Sequence, residues 1–400
     1  MDYDLAAWTG MALRWLHVVA GVAWIGASFY FVWLDNNLRD PKPLDGGPPK
    51  DGVKGELWAV HGGGFYHSQK YMVAPAHMPD HLHWFKWEAY TTWLSGFALL
   101  TVLYYVGAPV YLIDPAKHAF TQAQAIATGL AFIFGGLAVY EALCRSPLGK
   151  NGKLFGVVWF ATLTAATWAL TQIFSDRGAF IHVGAIIGTC MVGNVFLIII
   201  PNQRKIVADM LAGRPVDPRL GAMGKQRSVH NTHMTLPVIF IMISNHYPAV
   251  SGHPKAWLLL ALISAGAISI RYFFIQRHFG RIRHEFLFYG AMLIFGATAI
   301  ASIKPKDKVE ITSPVSFATA ESIIQKHCVT CHAATPTHPG FSAPPLGASF
   351  DNPEHIRTYA PKIRERAVLS TSMPLGNETG MTVEERAQLG AWINQGAKIP

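Results

Sequence analysis

The residues with the most specific chemistry are Cys328, Cys331 and His332, which form a Cys-x-x-Cys-His motif. This spacing is the attachment signature of c-type haem, because each thiol can form a thioether to the porphyrin while the adjacent imidazole ligates the iron. The alternative is half of a zinc site, which needs further Cys or His ligands at matching spacing. The chain has only two other cysteines, Cys144 and Cys190, and both lie in apolar stretches. The motif therefore predicts one covalent haem c.

A second iron ligand is expected downstream of this motif. Haem iron held by histidine on one side commonly takes methionine on the other side, which raises its reduction potential. Met373 is the favoured candidate. Met381 is the alternative, but it borders a predicted helix start in which Thr382 is the cap and Glu385 lies three positions later. His332 and Met373 are thus the predicted axial ligands, and either methionine could instead be ordinary core filler.

The residues after the motif indicate a small helical domain. A closing helix is predicted from Glu384 to Ala397, with Leu389, Trp392 and Ile393 on one face. Attachment helix, loop, methionine and closing helix together resemble a class I cytochrome c. The predicted domains are therefore residues 1–303, a hydrophilic linker at 304–316 and a cytochrome c domain at 317–400.

The first 303 residues have the composition of a membrane protein. The chain is 51% hydrophobic and only 14% charged, with 12 Trp, which is outside the usual soluble range. A spanning helix needs about 20 mostly apolar residues. The sequence predicts an all-α, eight-helix transmembrane bundle with spans near 11–34, 90–112, 123–143, 154–174, 179–200, 235–250, 256–275 and 286–303.

The Lys and Arg residues predict how these spans are oriented. Eighteen of them lie in the connections after spans one, three, five and seven, and three (Lys117, Arg177 and Lys255) lie in the opposite connections. The positive-inside rule places the odd-numbered connections in the cytoplasm. Both termini and the haem motif then lie in the periplasm of a bacterial inner membrane. The net charge of +9 is accordingly a topology signal, and no nucleic-acid partner is expected.

Three histidines lie near the outer ends of predicted spans, namely His17, His182 and His246. Ionisable side chains at membrane depth are costly and usually functional. One interpretation is axial ligation of a second, non-covalent haem b between helices. The other interpretation is neutral imidazoles that hydrogen-bond across helices or lie at the interface.

The predicted cytoplasmic connections are rich in His, Gly and Arg. The connection at 35–89 contains Gly62, Gly63 and Gly64 between two histidines, and the one at 201–234 contains His230. Successive backbone N–H groups near glycines can form a nest that favours anions. These two segments predict a site for a flat polar anion, and the alternative is a pair of solvated basic loops.

The whole pattern resembles a family, the bacterial membrane-bound urate oxidases, in which an eight-helix domain is fused to a C-terminal cytochrome c. The motifs that carry the resemblance are residues 85–96, 193–203, 228–247 and 328–332. The resemblance implies oxidation of urate to 5-hydroxyisourate, with electrons passing to cytochrome c and not to dioxygen. A respiratory-chain acceptor or a soluble cytochrome c would then receive them.

Our candidates for urate binding or proton transfer are His83, Glu88 and His230, because polar residues crowd on the predicted cytoplasmic side. Two other functions fit the same residues. One is an electron-transfer cytochrome subunit with no metabolite site. The other is a haem-dependent membrane oxidase that acts on a porphyrin or quinol.

Overall fold

The chain is mostly helical in a computed structural model that describes residues 5–42, 52–71, 75, 78–303 and 311–400. His77 and most of the predicted linker at 304–316 lie outside the described residues. The helices are α1 Leu5–Asn37, α2 Trp87–Leu100, α3 Ala108–Tyr111, α4 Gln122–Arg145, α5 Gly152–Ile173, α6 Asp176–Gly193, α7 Ile200–Leu211, α8 Pro218–Ser244, α9 Pro248–Ser251, α10 Ala256–His278, α11 Glu285–Ser302, α12 Phe317–His327, α13 Pro353–Ile363 and α14 Val383–Asn394.

Seven helices of the described chain are long and apolar enough to cross a membrane: Trp8–Asn37, Trp87–Val106, Gln122–Arg145, Gly152–Ile173, Asp176–Leu211, Ala256–His278 and Glu285–Ser302. The sequence predicted eight. The predicted span at 235–250 accounts for the difference between eight and seven. In the structure this segment contains the end of α8 and then a turn at His246. α8 begins at Pro218, and its first half is too polar to meet the same criterion. The connection at 201–234 is largely helical, so its prediction as a loop is wrong.

Two strands correct the all-α prediction. β1 (Val53–His61) pairs with β2 (Gly64–Tyr71) as an antiparallel hairpin. Gly62 and Gly63 form the two-residue turn with φ of 58° and 80°, as a primed hairpin turn requires. These glycines therefore serve the backbone conformation of the turn. The predicted anion nest is thus a hairpin turn.

Two of the membrane helices contain a π-helical turn. Thr101–Val106 continues α2, and Asn194–Ile199 joins α6 to α7 as one long helix from Asp176 to Leu211. π turns are rare and often occur at functional positions. The second one begins at a buried asparagine, Asn194, which contributes to a polar cluster described below.

The chain divides into two compact units. The first consists of residues 1–99, 187–239 and 264–293, and the second of residues 100–186, 240–263 and 294–400. The first unit contains the hairpin and an apolar cluster of Ala89, Val192, Val195 and Ile200. The second unit contains α4, α5 and all of the C-terminal helices, so the helical tail belongs to one compact unit with part of the membrane region.

The C-terminal helices have their own apolar core. Ile324 of α12 and Leu389 and Trp392 of α14 are almost completely buried in it. The ends of the helices are set by local hydrogen bonds: Thr382 and Glu385 form a capping box at α14, and Ser316 caps α12. A side-chain cap that satisfies the first-turn N–H groups stabilises a helix by about 1 kcal/mol.

Replacing Trp392 with Ala should expose the tail to protease. The side chain is 1% exposed and its Nε1 donates to the Lys398 carbonyl at 3.0 Å, so truncation leaves a large cavity that costs about 3–5 kcal/mol. In purified full-length protein, the rate of trypsin cleavage within 317–400 should rise by about 100-fold or more. Trp15→Ala, at a position 74% exposed, is the control. An unchanged cleavage rate in Trp392→Ala would show that this core does not hold the tail together.

Candidate functional site

The Cys-x-x-Cys-His motif forms a tight turn at the end of α12. The His332 amide donates to the Cys328 carbonyl at 2.9 Å. The His332 Nδ1 donates to the Ala348 carbonyl, also at 2.9 Å. A histidine that ligates a metal through Nε2 usually donates its other N–H to such a carbonyl, which fixes the tautomer. This arrangement leaves Nε2 of His332 as the nitrogen suited to iron.

Both cysteines of the motif are free thiols and partly buried. Burial raises the pKa of the Cys328 thiol to about 12, so it stays protonated at neutral pH. Among the described residues, no three His, Cys, Asp or Glu side chains are grouped to hold a metal ion, which gives the zinc interpretation no support. The two free thiols and the oriented imidazole fit thioether attachment of a porphyrin.

Met373 lies on a loop that Arg386 of α14 holds in place. The Arg386 guanidinium donates to the carbonyls of Ala367 and Met373 at 2.5 and 2.7 Å, and to Asn377 Oδ1 at 3.0 Å. Met373 is half-buried and packs against the apolar core. The alternative ligand, Met381, is 3% exposed and belongs to that core. The surroundings of Met373 therefore fit an iron ligand better than those of Met381.

The Met373 loop packs on the part of the membrane region that belongs to the same compact unit. Thr371 Oγ1 donates to Asp176 Oδ2 at 3.1 Å, and Lys117 Nζ donates to the other Asp176 oxygen at 2.7 Å. Asp176 is the first residue of α6. A Cβ on Gly376 would lie 2.8 Å from the carbonyl oxygen of Ile113, so only glycine allows this approach. The loop that would hold the iron ligand thus docks beside the start of a membrane helix.

A buried charge strengthens this docking. Asp114 is 5% exposed and follows the short helix α3. Burial raises the pKa of Asp114, while the positive charges of Lys117 and Arg386 act in the opposite direction. Arg386 therefore acts on both sides of the contact: it fixes the Met373 loop and attracts Asp114.

His182 is fully buried within its unit. Its Nδ1 donates to the Gly178 carbonyl at 2.7 Å, and its Nε2 accepts from the Tyr105 hydroxyl at 3.3 Å. A Cβ on Gly129 of α4 would lie 2.4 Å from Nε2. Gly129 and the Tyr105 hydroxyl therefore both lie against Nε2 of His182.

His17 and His246 have different surroundings. The His17 Nδ1 donates to the Thr92 carbonyl at 2.9 Å, and Gly96 packs against its ring. His246 is exposed in the turn after α8. His17 and His182 both have the satisfied, neutral environment that was the alternative to haem ligation. Axial ligation of a haem b by these histidines stays a prediction.

A buried polar cluster joins the second π turn to α8. Asn194 Nδ2 donates to Asn231 Oδ1 at 2.8 Å, and Arg227 Nη1 donates to Asn194 Oδ1 at 3.1 Å. Asn231 Nδ2 completes the cluster by donating to the Met191 carbonyl at 3.0 Å. The sequence analysis placed Arg227 and Asn231 in a segment predicted to bind an anion, but it did not predict this cluster. The signal that indicates Asn194 is a polar side chain within an apolar span.

The three predicted proton-transfer residues have different environments. His83 is exposed and contacts the Phe85 ring at 4.5 Å. Glu88 is partly buried in the first turn of α2. His230 is half-buried on α8, where burial lowers its pKa to about 4 and the positive charge of Arg227 acts in the same direction. A pKa this low keeps His230 neutral at neutral pH but makes it a weak base, and partial burial is what distinguishes its side chain from the exposed His83.

Comparison with known proteins identifies one family. The family model for the urate oxidase N-terminal region matches residues 3–302, which are 300 of the 400 residues. No curated protein and no solved structure matches the chain. The match covers the membrane region and ends before the C-terminal helices.

Replacing Arg386 with Met should loosen the Met373 loop. Three acceptors would lose their donor, and each unsatisfied buried group costs about 1–3 kcal/mol. Hydrogen exchange of amides 366–381 in the purified protein should therefore speed up by about 100-fold. The control is Arg357→Met, because Arg357 forms an exposed pair with Glu354 that contributes little. Equal exchange in both variants would contradict the anchoring role of Arg386.

Proposed function

We propose that this chain, which belongs to the urate oxidase N-terminal family, oxidises urate to 5-hydroxyisourate within its membrane region and delivers the electrons to a haem c bound in its C-terminal helices. The family match supports a urate-related oxidoreductase. The haem, its position in the periplasm and the identity of the final acceptor are our proposal. That acceptor would be a respiratory-chain component or a soluble cytochrome c.

One observation carries the proposal: the oriented Cys-x-x-Cys-His turn and the Met373 loop belong to a single helical tail, and that loop docks on the start of α6 through Thr371 and Asp176. A redox group held at this position lies beside the membrane helices. Electrons taken from a substrate by the membrane region would leave through that group. A tail that served only as a structural extension would need neither feature.

The reaction must release two electrons. Urate and water give 5-hydroxyisourate, two protons and two electrons, so a one-electron carrier must act twice for each urate oxidised. When bound, a haem c supplies a one-electron acceptor. The chain's own residues would hold it through Cys328, Cys331, His332 and Met373. Its membrane region must bind the urate anion and remove the protons.

His230, Glu88 and His83 are the residues that we assign to proton removal or urate binding. His230 is the favoured base, because its imidazole is neutral at pH 7 and because it lies beside Asn231 on α8, the helix that supplies Arg227 and Asn231 to the polar cluster with Asn194. The Lys and Arg distribution favours the cytoplasmic side for this site.

The proposed function predicts a spectral change without dioxygen. Added anaerobically to purified, oxidised protein, urate should reduce a c-type haem, with two haems reduced per urate consumed. If another electron donor reduces the protein and urate does not, the protein is an electron-transfer subunit without a urate site. Protein that lacks a covalent haem would contradict the haem assignment. Met373→Ala should change the haem spectrum and lower its potential, whereas Met381→Ala should leave the axial ligation intact.

Replacing the proton-transfer residues separates their roles. A general base contributes about 100-fold or more to turnover, so His230→Gln should lower kcat for urate by about 100-fold with little change in KM. Glu88→Gln and His83→Gln are tested beside it, and His355→Gln, an exposed position in α13, is the control. If none of the three lowers kcat by more than about threefold, the assigned position of the urate site is wrong.

A further inference from the structure

We propose that Arg271 of α10 is the residue that binds the anionic substrate, through the edge of its guanidinium formed by Nε and Nη2. This inference rests on the proposed function and adds to it the group that neutralises urate. No feature of the sequence assigned this role to Arg271. Arg271 lies in the last third of the apolar helix α10.

The burial of Arg271 is the first observation. The side chain is 5% exposed within the candidate membrane span Ala256–His278. A guanidinium stays charged at any physiological pH. Burying an unpaired charge in apolar surroundings is among the most expensive arrangements in a protein. Such a residue needs a partner.

The described residues do not supply that partner. Nε and Nη2 of Arg271 are buried and have no hydrogen-bond partner among them, and none of the ion pairs in the described part of the chain includes Arg271. The guanidinium carbon lies 3.8 Å from the centre of the Phe29 ring. This cation–π contact covers one face of the group, but it leaves the N–H donors at its edge unsatisfied.

The neighbouring groups have the same sign or are neutral. The charge of Arg271 acts on His233 of α8 and on His278 of α10. Burial lowers the pKa of His233, and the charge of Arg271 adds to that effect. Nδ1 of His278 is a further buried atom without a hydrogen-bond partner in the described chain. Among the described residues no carboxylate pairs with Arg271, and Nδ1 of His278 is unused beside Nε and Nη2 of Arg271.

The unused edge of Arg271 defines the ligand chemistry. Nε and Nη2 point their N–H groups in parallel, so they bind two adjacent acceptors of a planar anion. The urate monoanion presents one such pair, the C2 carbonyl oxygen and the deprotonated N3, because its other ring nitrogens carry hydrogen and donate. A planar oxopurine anion fits these groups in charge and in hydrogen bonding.

The test measures urate binding without turnover. Fully reduced protein cannot accept electrons, so radiolabelled urate can be titrated against it by equilibrium dialysis. Arg271→Met should raise the Kd for urate by about 10- to 100-fold, the effect expected for losing a charge-assisted bidentate contact. Arg271→Lys keeps the charge but loses the paired edge, so its Kd should be intermediate. The control is Arg277→Met, an exposed position on the same helix.

A neutral purine separates charge recognition from general damage. Hypoxanthine is uncharged at pH 7, so Arg271→Met should change its Kd by less than about threefold. An equal loss of affinity for urate and hypoxanthine would overturn the assignment and identify a structural role. Unchanged urate affinity in Arg271→Met would also overturn it, while leaving the proposed function intact. Unaltered protein that neither binds nor oxidises urate would overturn both.

The unaltered protein gives a second readout if the Met variant fails to fold. A ligand that neutralises a buried charge stabilises the native state by mass action. Urate should therefore raise the Tm, while hypoxanthine and inorganic phosphate at the same concentration should raise it less. Equal shifts with hypoxanthine would contradict recognition of charge. Equal shifts with phosphate would indicate a site for any small anion and contradict recognition of a purine.

Discussion

A polar side chain within apolar helices must find a partner, because water is not available to it. Most of the buried polar groups described here satisfy this constraint. Asn194 and Asn231 bond to each other and to the backbone, and His182 uses both of its nitrogens. Arg271 and His278 are among the exceptions: Nε and Nη2 of Arg271 and Nδ1 of His278 have no hydrogen-bond partner among the described residues. The proposed anion site rests on this unsatisfied, buried cation.

The same constraint explains what the sequence could predict. Long apolar stretches have few ways to fold, so seven of the eight predicted spans correspond to helices of the right length. The remaining prediction, the span at 235–250, overlaps the end of α8, whose polar first half and Pro237 hid a continuous helix. The hairpin was also missed, although Gly62 and Gly63 between two alternating segments are a hairpin signal. A ligand-binding interpretation of the glycines took precedence over their turn chemistry.

The two candidate sites differed in how far the sequence could describe them. The Cys-x-x-Cys-His motif is local, so its residues and roles follow from their spacing. The anion site depends on tertiary contacts: Phe29 and Arg271 are far apart in the chain, and nothing in their local sequence indicates that they stack. Likewise, only three-dimensional packing revealed that Gly129 lies against the ring of His182. Haem b therefore remains a sequence prediction. In the structure, the imidazoles of His17 and His182 form hydrogen bonds to neighbouring groups.

The π turn at Asn194–Ile199 has a consequence for how such a chain can evolve. A π turn accommodates one more residue than an α-helical turn, so every side chain beyond it is rotated around the helix axis. Deleting a single residue there would restore a regular α-helix and turn Asn194 and its neighbours toward a different face. The number of residues in this segment is thus as tightly constrained as their identity. Surface loops tolerate insertions and deletions. At this point in the helix, selection would remove them.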